Sequence, residues 1–182
     1  MPLATARLRA PYDLIIKEQN LAIGPDFARD LRAGEEPAVD ALLRDAFPTA
    51  DEAKLVAKLR KSRAIAGETV LPWEDAIVGY FALSYMVKPK GWLCLAPVAI
   101  QSDIQRRGYG KRMIGMLTEW ARLTQTPVVV LGAPGFYEKA GFQREKAVHL
   151  QSPYSIENTM LAGVDQAPKA QALIYPPAFE GL

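Results

Sequence analysis

The chain of 182 residues has one cysteine, Cys94, and one histidine, His149. A single thiol excludes an internal disulfide, and one thiol plus one imidazole is too few soft ligands for a tetrahedral zinc site, so no metal is expected. Long apolar runs are missing as well. No stretch reaches the roughly eighteen apolar residues of a membrane span, and the N-terminus lacks an apolar core of the secretory type. The chain therefore reads as cytoplasmic, with no membrane partner. Neither sign of charge is in excess: the formal net charge is +2, which makes wholesale coating of nucleic acid unnecessary. Repeats, low-complexity tracts and linkers are absent too. What remains is an ordinary globular composition, 49% hydrophobic and 23% charged, enough for one domain with a substantial core.

The stretch from Leu95 to Leu123 organises the rest. Leu95 to Ile100 is a short apolar run with a β-branched pair and reads as the end of a buried strand. From Gly110 onward the period changes, with Met113, Ile114, Leu117, Trp120 and Ala121 spaced by three and four as on one helical face. Gln105-Arg106-Arg107-Gly108-Tyr109-Gly110 joins the two. Glycines permit a tight turn and close approach of a ligand to the backbone. The first amides of a helix lack intrahelical partners and lie at the positive end of its dipole, so this junction suits an anion, a phosphate above all. Arg106, Arg107, Lys111 and Arg112 add positive charge to the same turn. Neither the dinucleotide fingerprint nor the P-loop fits: Met113 stands where the third glycine of the first belongs, and Tyr109 alone separates the two glycines.

Gln105 to Gly110 resembles the Q/R-x-x-G-x-G/A signature of the GNAT superfamily of N-acetyltransferases. Downstream, Pro127 to Gly132 reads as a buried parallel strand, and Gly135 to Phe142 resembles that family's closing motif, an aromatic-Tyr pair, Phe136-Tyr137, one helical turn before Gly141-Phe142. The final Ala172 to Phe179 resembles the ending of a YhbS-like bacterial branch of the family. The resemblance implies an α/β fold with a central mixed sheet of six to seven strands flanked by helices. It implies acetyl-CoA as co-substrate, held by the backbone of Val98, Ala99 and Ile100 along the pantetheine and by Gln105, Arg106, Arg107, Gly108, Tyr109, Gly110 and Lys111 around the diphosphate. A splay between the fourth and fifth strands would leave the Val98 and Ile100 amides free for the thioester. Tyr137 would be the general acid for the departing thiolate, although the same ring could simply cover the sheet.

Taken in order, residues 1–25 form an N-terminal extension in which Tyr12 to Lys17 could be an extra strand, and residues 26–182 form a single domain. The first family strand is placed at Asp26 to Arg32. A helix follows from Glu36 to Phe47, with Val39, Leu42, Leu43, Ala46 and Phe47 on one face, Pro37 in its first turn and Pro48 as its stop. Thr49 to Glu52 has the form of a capping box for a second helix that turns Leu55, Val56 and Leu59 inward. Ala64 to Leu71 and Ile77 to Val87 read as a hairpin across Pro72-Trp73-Glu74-Asp75, and Trp92 to Ile100 as the fourth strand. Gln143 to Leu150 and Gln171 to Tyr175 read as further strands.

The general base stays open among Asp103, Glu74, Asp75, Cys94, His149 and water, with Cys94 better suited to the core and His149 to a structural role on its strand. The acceptor, an amine of unknown identity, is expected between the Phe47 to Asp51 turn and the Trp73-Glu74-Asp75 loop. Two rival readings are a non-catalytic acyl-CoA sensor and a single-stranded nucleic-acid binder using Gln105 to Arg112; steep salt dependence would mark the second. The sequence carries no signature for or against a homodimer.

Overall fold

A computed structural model describes residues 24–181. The Tyr12 to Lys17 strand expectation therefore lies outside the described residues. Six strands form the main sheet: β1 (Arg29–Asp30), β2 (Ile65–Trp73), β3 (Ala76–Tyr85), β4 (Leu93–Ile100), β5 (Val128–Leu131) and β7 (Thr159–Ala162), adjacent in that order. All neighbours run antiparallel except β4 and β5, which are parallel, as expected from the helix that connects them. β6 (Leu150–Gln151) and β8 (Gln171–Ala172) pair in a separate two-stranded sheet.

Strand alternation sends neighbouring residues to opposite faces. Leu71, Phe81, Leu95, Val130 and Met160 pack on one side beneath α3 (Tyr109–Thr124). Val70, Tyr80, Cys94, Val129 and Leu161 pack on the other, against α1 (Glu36–Ala46), α2 (Asp51–Lys61) and the C-terminal segment. The inward faces of α1 and α2 contain the residues their periodicity indicates, including Leu42, Leu43, Leu55, Val56 and Leu59. Among the described residues no helix is long and apolar enough to cross a membrane.

Four expectations need correction. The first strand is reduced to Arg29–Asp30, although Asp26 N–H still bonds Pro72 O and Leu31 N–H bonds Glu68 O. The capping box does not form. α2 starts one residue later than that motif requires, at an Ala50 cap, and the Thr49 hydroxyl donates to the Asp51 carboxylate instead. Gln143 to Leu150 is mostly turns, with Ala147 N–H on Arg144 O and Leu150 N–H on Ala147 O; the outer strand beside β5 is β7, which the sequence reading missed. Of Gln171 to Tyr175 only Gln171–Ala172 is a strand, after which Ile174 bridges to Lys88.

Candidate functional site

The centre of the molecule is set by a defect in β4. Phe81 faces Val98 and Leu83 faces Leu95, so Ala96 and Pro97 together oppose Ala82: a β-bulge. Proline is tolerated in an inner strand at such a place because it has no N–H to give to the ladder, and a bulge bends its strand. Pairing of β4 with β5 stops at Leu95 and Val130, just before it. Beyond the bulge Gln101 N–H bonds Val78 O on β3. By alternation Ala99 N–H also faces β3, and the amides of Val98 and Ile100 face the side β5 has left. Ala99 itself is buried with Val70 and Tyr80, away from that gap.

The loop after β4 turns its backbone toward the same gap. Gln105 Nε2 donates to Ile100 O at 2.9 Å and ties the loop to the strand end. Arg106 and Gly108 both have positive φ, +61° and +88°, a conformation that glycine adopts without strain and arginine does not. The first helical bond of α3 runs from Arg112 N–H to Gly108 O. The amides of Tyr109, Gly110 and Lys111 therefore have no intrahelical acceptor and sit at the positive end of a 16-residue helix. They open on a cavity of about 510 Å³ that also touches Val98, Ile100, Gln105, Arg106, Gly108, Phe136 and Tyr137. Arg107 and Arg112 are outside it. Arg107 donates to Asp103 O, and Arg112 donates to Pro25 O and Asp26 O while stacking over the Tyr109 ring. Free main-chain donors, a helix N-terminus and two cations, Arg106 and Lys111, suit a diphosphate.

Tyr137 ends a short helix, α4 (Pro134–Tyr137). Its ring meets Phe136 and Phe142 edge-on, with centroids 4.9 and 5.8 Å away. Burial first, and the neighbouring Cys94 second, push its phenol up to about 12, so it carries its proton at neutral pH. The ring lines the first cavity and also a second one of about 440 Å³. The two meet at Val98 and Tyr137. The second cavity is bounded by Phe47, Asp51, Glu52 and Leu55 from the α1–α2 region, by Cys94 to Val98 of β4, and by Tyr154, Tyr175 and Phe179 from the C-terminal segment.

Two residues that line this second cavity each have a buried side-chain oxygen without a hydrogen-bond partner among the described residues, Glu52 Oε2 and the Tyr175 hydroxyl. An orphaned buried polar atom costs about 1–3 kcal/mol, more when charged. The sequence reading missed both. Glu52 was assigned to the capping box, and Tyr175 to an ordinary strand. The aromatic spacing of Tyr154, Tyr175 and Phe179 is the only signal that could have pointed here.

The structure disperses the base candidates. Glu74, Asp75, Asp103 and His149 are exposed. None of Trp73, Glu74 and Asp75 lines the second cavity, and the Trp73 ring instead tilts against Tyr109 at 6.4 Å. His149 follows a turn and is no strand residue. Cys94 is a core residue whose thiol burial pushes up to about 12. No group of His, Cys, Asp and Glu among the described residues could hold a metal.

Known proteins share this fold and part of this sequence. Over 115 residues the chain is 31% identical to YhbS of Escherichia coli K12, described as an uncharacterized N-acetyltransferase; the match covers 60% of this chain and 68% of that one. The crystal structure of E. coli YhbS in complex with CoA has a TM-score of 0.75 at 26% identity, covering 84% of this chain and 91% of the other. A GNAT family acetyltransferase from Brucella melitensis, in complex with acetyl-CoA, shares the fold with a TM-score of 0.65 at 22% identity, over 85% and 97% of the two chains. The family described as acetyltransferase (GNAT) matches residues 36–142, from the start of α1 to the Phe142 that packs on Tyr137. By sequence and by fold, the chain belongs to the GNAT acetyltransferase family.

Proposed function

We propose that this protein is an acetyl-CoA-dependent N-acetyltransferase in which an amine attacks the thioester directly and Tyr137 protonates the departing thiolate. One observation carries the reading: the cavity at the α3 N-terminus and the cavity walled by the C-terminal aromatics meet between the Val98 amide and the Tyr137 ring. CoA in the YhbS structure and acetyl-CoA in the Brucella protein support the choice of donor.

The coenzyme supplies an activated acyl carbon and a thiol leaving group. The residues of this chain do the rest. The amides of Tyr109, Gly110 and Lys111, with the side chains of Arg106 and Lys111, hold the diphosphate. The Val98 amide polarises the thioester carbonyl, and one such preorganised donor contributes about 3 kcal/mol to lowering the barrier. The amine nitrogen bonds the carbonyl carbon and gives up a proton to solvent, the C–S bond breaks, and sulfur takes the proton of Tyr137. Solvent reprotonates the phenol, so amine plus thioester become amide plus thiol. Burial keeps the Tyr137 phenol protonated at neutral pH, so the proton is there to give.

Tyr137→Phe tests the reading. Thiol release in the presence of amines should fall by about a hundred- to ten-thousandfold, with coenzyme affinity retained. Unchanged turnover would leave Tyr137 with packing alone, and no thiol release from the unaltered protein with any amine would leave an acyl-CoA sensor.

A further inference from the structure

Two residues that the sequence marks as functional line neither cavity. Arg112 belongs to the cationic cluster around the phosphate turn, and Trp73 to the hairpin loop expected beside the acceptor, yet both lie outside the two sites. They meet at Tyr109 instead. The Trp73 ring tilts against the Tyr109 ring with centroids 6.4 Å apart, and the Arg112 guanidinium lies over the same ring at 5.5 Å from its centroid, within the range where an aromatic face attracts a cation.

The contacts close a ring through the backbone. Arg112 Nη2 donates to Asp26 O at 3.0 Å and to Pro25 O at 3.4 Å. Asp26 N–H in turn donates to Pro72 O at 2.9 Å, next to Trp73 at the end of β2. The lead-in to β1, the end of β2 and the first turn of α3 are thereby joined around one side chain. Tyr109 is the first residue of α3, and its amide is one of the three without an intrahelical acceptor.

We infer that Arg112 is a positioning residue for the coenzyme site: it fixes the Tyr109 ring against Trp73, and through that ring the amides of Tyr109, Gly110 and Lys111, and it places no charge on the diphosphate. This rests on the acetyltransferase reading, in which those amides hold the diphosphate. The preceding turn needs such support. Arg106, at φ +61°, has a conformation that persists only where the surroundings impose it. Gln105 on Ile100 O anchors the start of the turn, and the Tyr109 clamp anchors its end. The planar guanidinium reaches two carbonyls and a ring at once, which the compact ammonium of a lysine does not reproduce.

The test is calorimetric titration with CoA of the unaltered protein, Arg112→Lys, Arg112→Gln, Tyr109→Phe, Tyr109→Leu and the double variant Arg112→Lys/Tyr109→Leu. Arg112→Lys and Arg112→Gln should weaken binding alike, by about tenfold, although the first keeps the charge. Tyr109→Phe keeps the ring and should bind as the unaltered protein does. Because Arg112 acts through that ring, Tyr109→Leu should cost about tenfold and the double variant no more, whereas independent contributions would multiply to about a hundredfold. Full affinity in Arg112→Lys with a loss in Arg112→Gln would put the Arg112 charge on the phosphate and overturn the inference. A hundredfold loss in the double variant, or affinity unchanged in both Arg112 variants, would also overturn it; each of these leaves the coenzyme site standing. If Tyr109→Leu does not fold, the comparison of Arg112→Lys with Arg112→Gln decides. No CoA binding by the unaltered protein would overturn the acetyltransferase reading as well.

Discussion

Gly132 decides where Tyr137 can stand. A Cβ built on Gly132 would lie 2.3 Å from Cε2 and 3.0 Å from Cδ2 of the Tyr137 ring, closer than any real contact, so the phenol occupies space that only glycine leaves free. Gly132-Ala133-Pro134-Gly135 leads from β5 into α4. Gly132→Ala should therefore displace the ring while leaving the α3 loop untouched. A shift of about 1 Å in a reacting group can cost about a hundredfold in rate, so thiol release should drop by that order with coenzyme affinity intact. Steady-state kinetics beside calorimetry reads both, and a loss confined to coenzyme affinity would contradict the assignment. Tyr137 and the loop glycines were legible in the sequence because each belongs to a motif of fixed spacing. Glu52 was not. Its spacing from Thr49 fits a capping box, but the actual cap is Ala50, and that one-residue shift puts Glu52 at the second helical position, among the residues that line the second cavity.

At the scale of elements, two backbone irregularities build the cavity at the α3 N-terminus: the bulge at Ala96 and Pro97 that parts β4 from β5, and the left-handed turn before α3. Gly108→Ala should strain the turn at φ +88° by about 1 kcal/mol, weakening coenzyme binding about tenfold once the amides move. Because Tyr137 stays where it is, kcat at saturating coenzyme should remain close to that of the unaltered protein. Titration with CoA against turnover at saturation separates the two, and an unchanged affinity would remove the loop from the site. Element types followed well from periodicity wherever an apolar run was long: the hairpin, β4, α3 and β5 lie within a residue or two of their expected bounds. Failure came with short or mixed segments. Between Phe142 and Leu150 the buried residues are Phe142, Ala147 and Leu150, whose spacing of five and three suits turns and cannot alternate as a strand does. β7, four residues of Thr159–Ala162, is too short to announce a period, and tertiary pairing with β5 sets it.

At the scale of the whole molecule, the core that shapes the site also buries proton-bearing groups. Burial raises the Cys94 thiol from 9.0 to about 12 and the Tyr137 phenol from 10.0 to about 12, and it raises Tyr80 and Tyr175 in the same direction. Above pH 9.0 the unfolded chain releases protons that the folded chain keeps, so stability is full below that pH and is lost as pH climbs toward about 12. Thermal unfolding followed across this range should show a falling Tm that begins near pH 9, with a shallower early decline in Cys94→Ala; a flat profile would contradict the buried placement of these groups. The family and its mixed sheet were readable from one dense segment, Leu95 to Phe142, because that segment carries the motifs. Of the second cavity the sequence indicated only the Phe47 to Asp51 side, because the C-terminal segment that completes its wall comes from a distant part of the chain. The most direct test of the whole account is a crystal structure of the protein with acetyl-CoA. The account predicts the diphosphate on the amides of Tyr109, Gly110 and Lys111, the thioester carbonyl on Val98 N–H and the sulfur facing the Tyr137 hydroxyl. Diphosphate bound elsewhere, or a thioester outside the gap between Val98 and Tyr137, would contradict it.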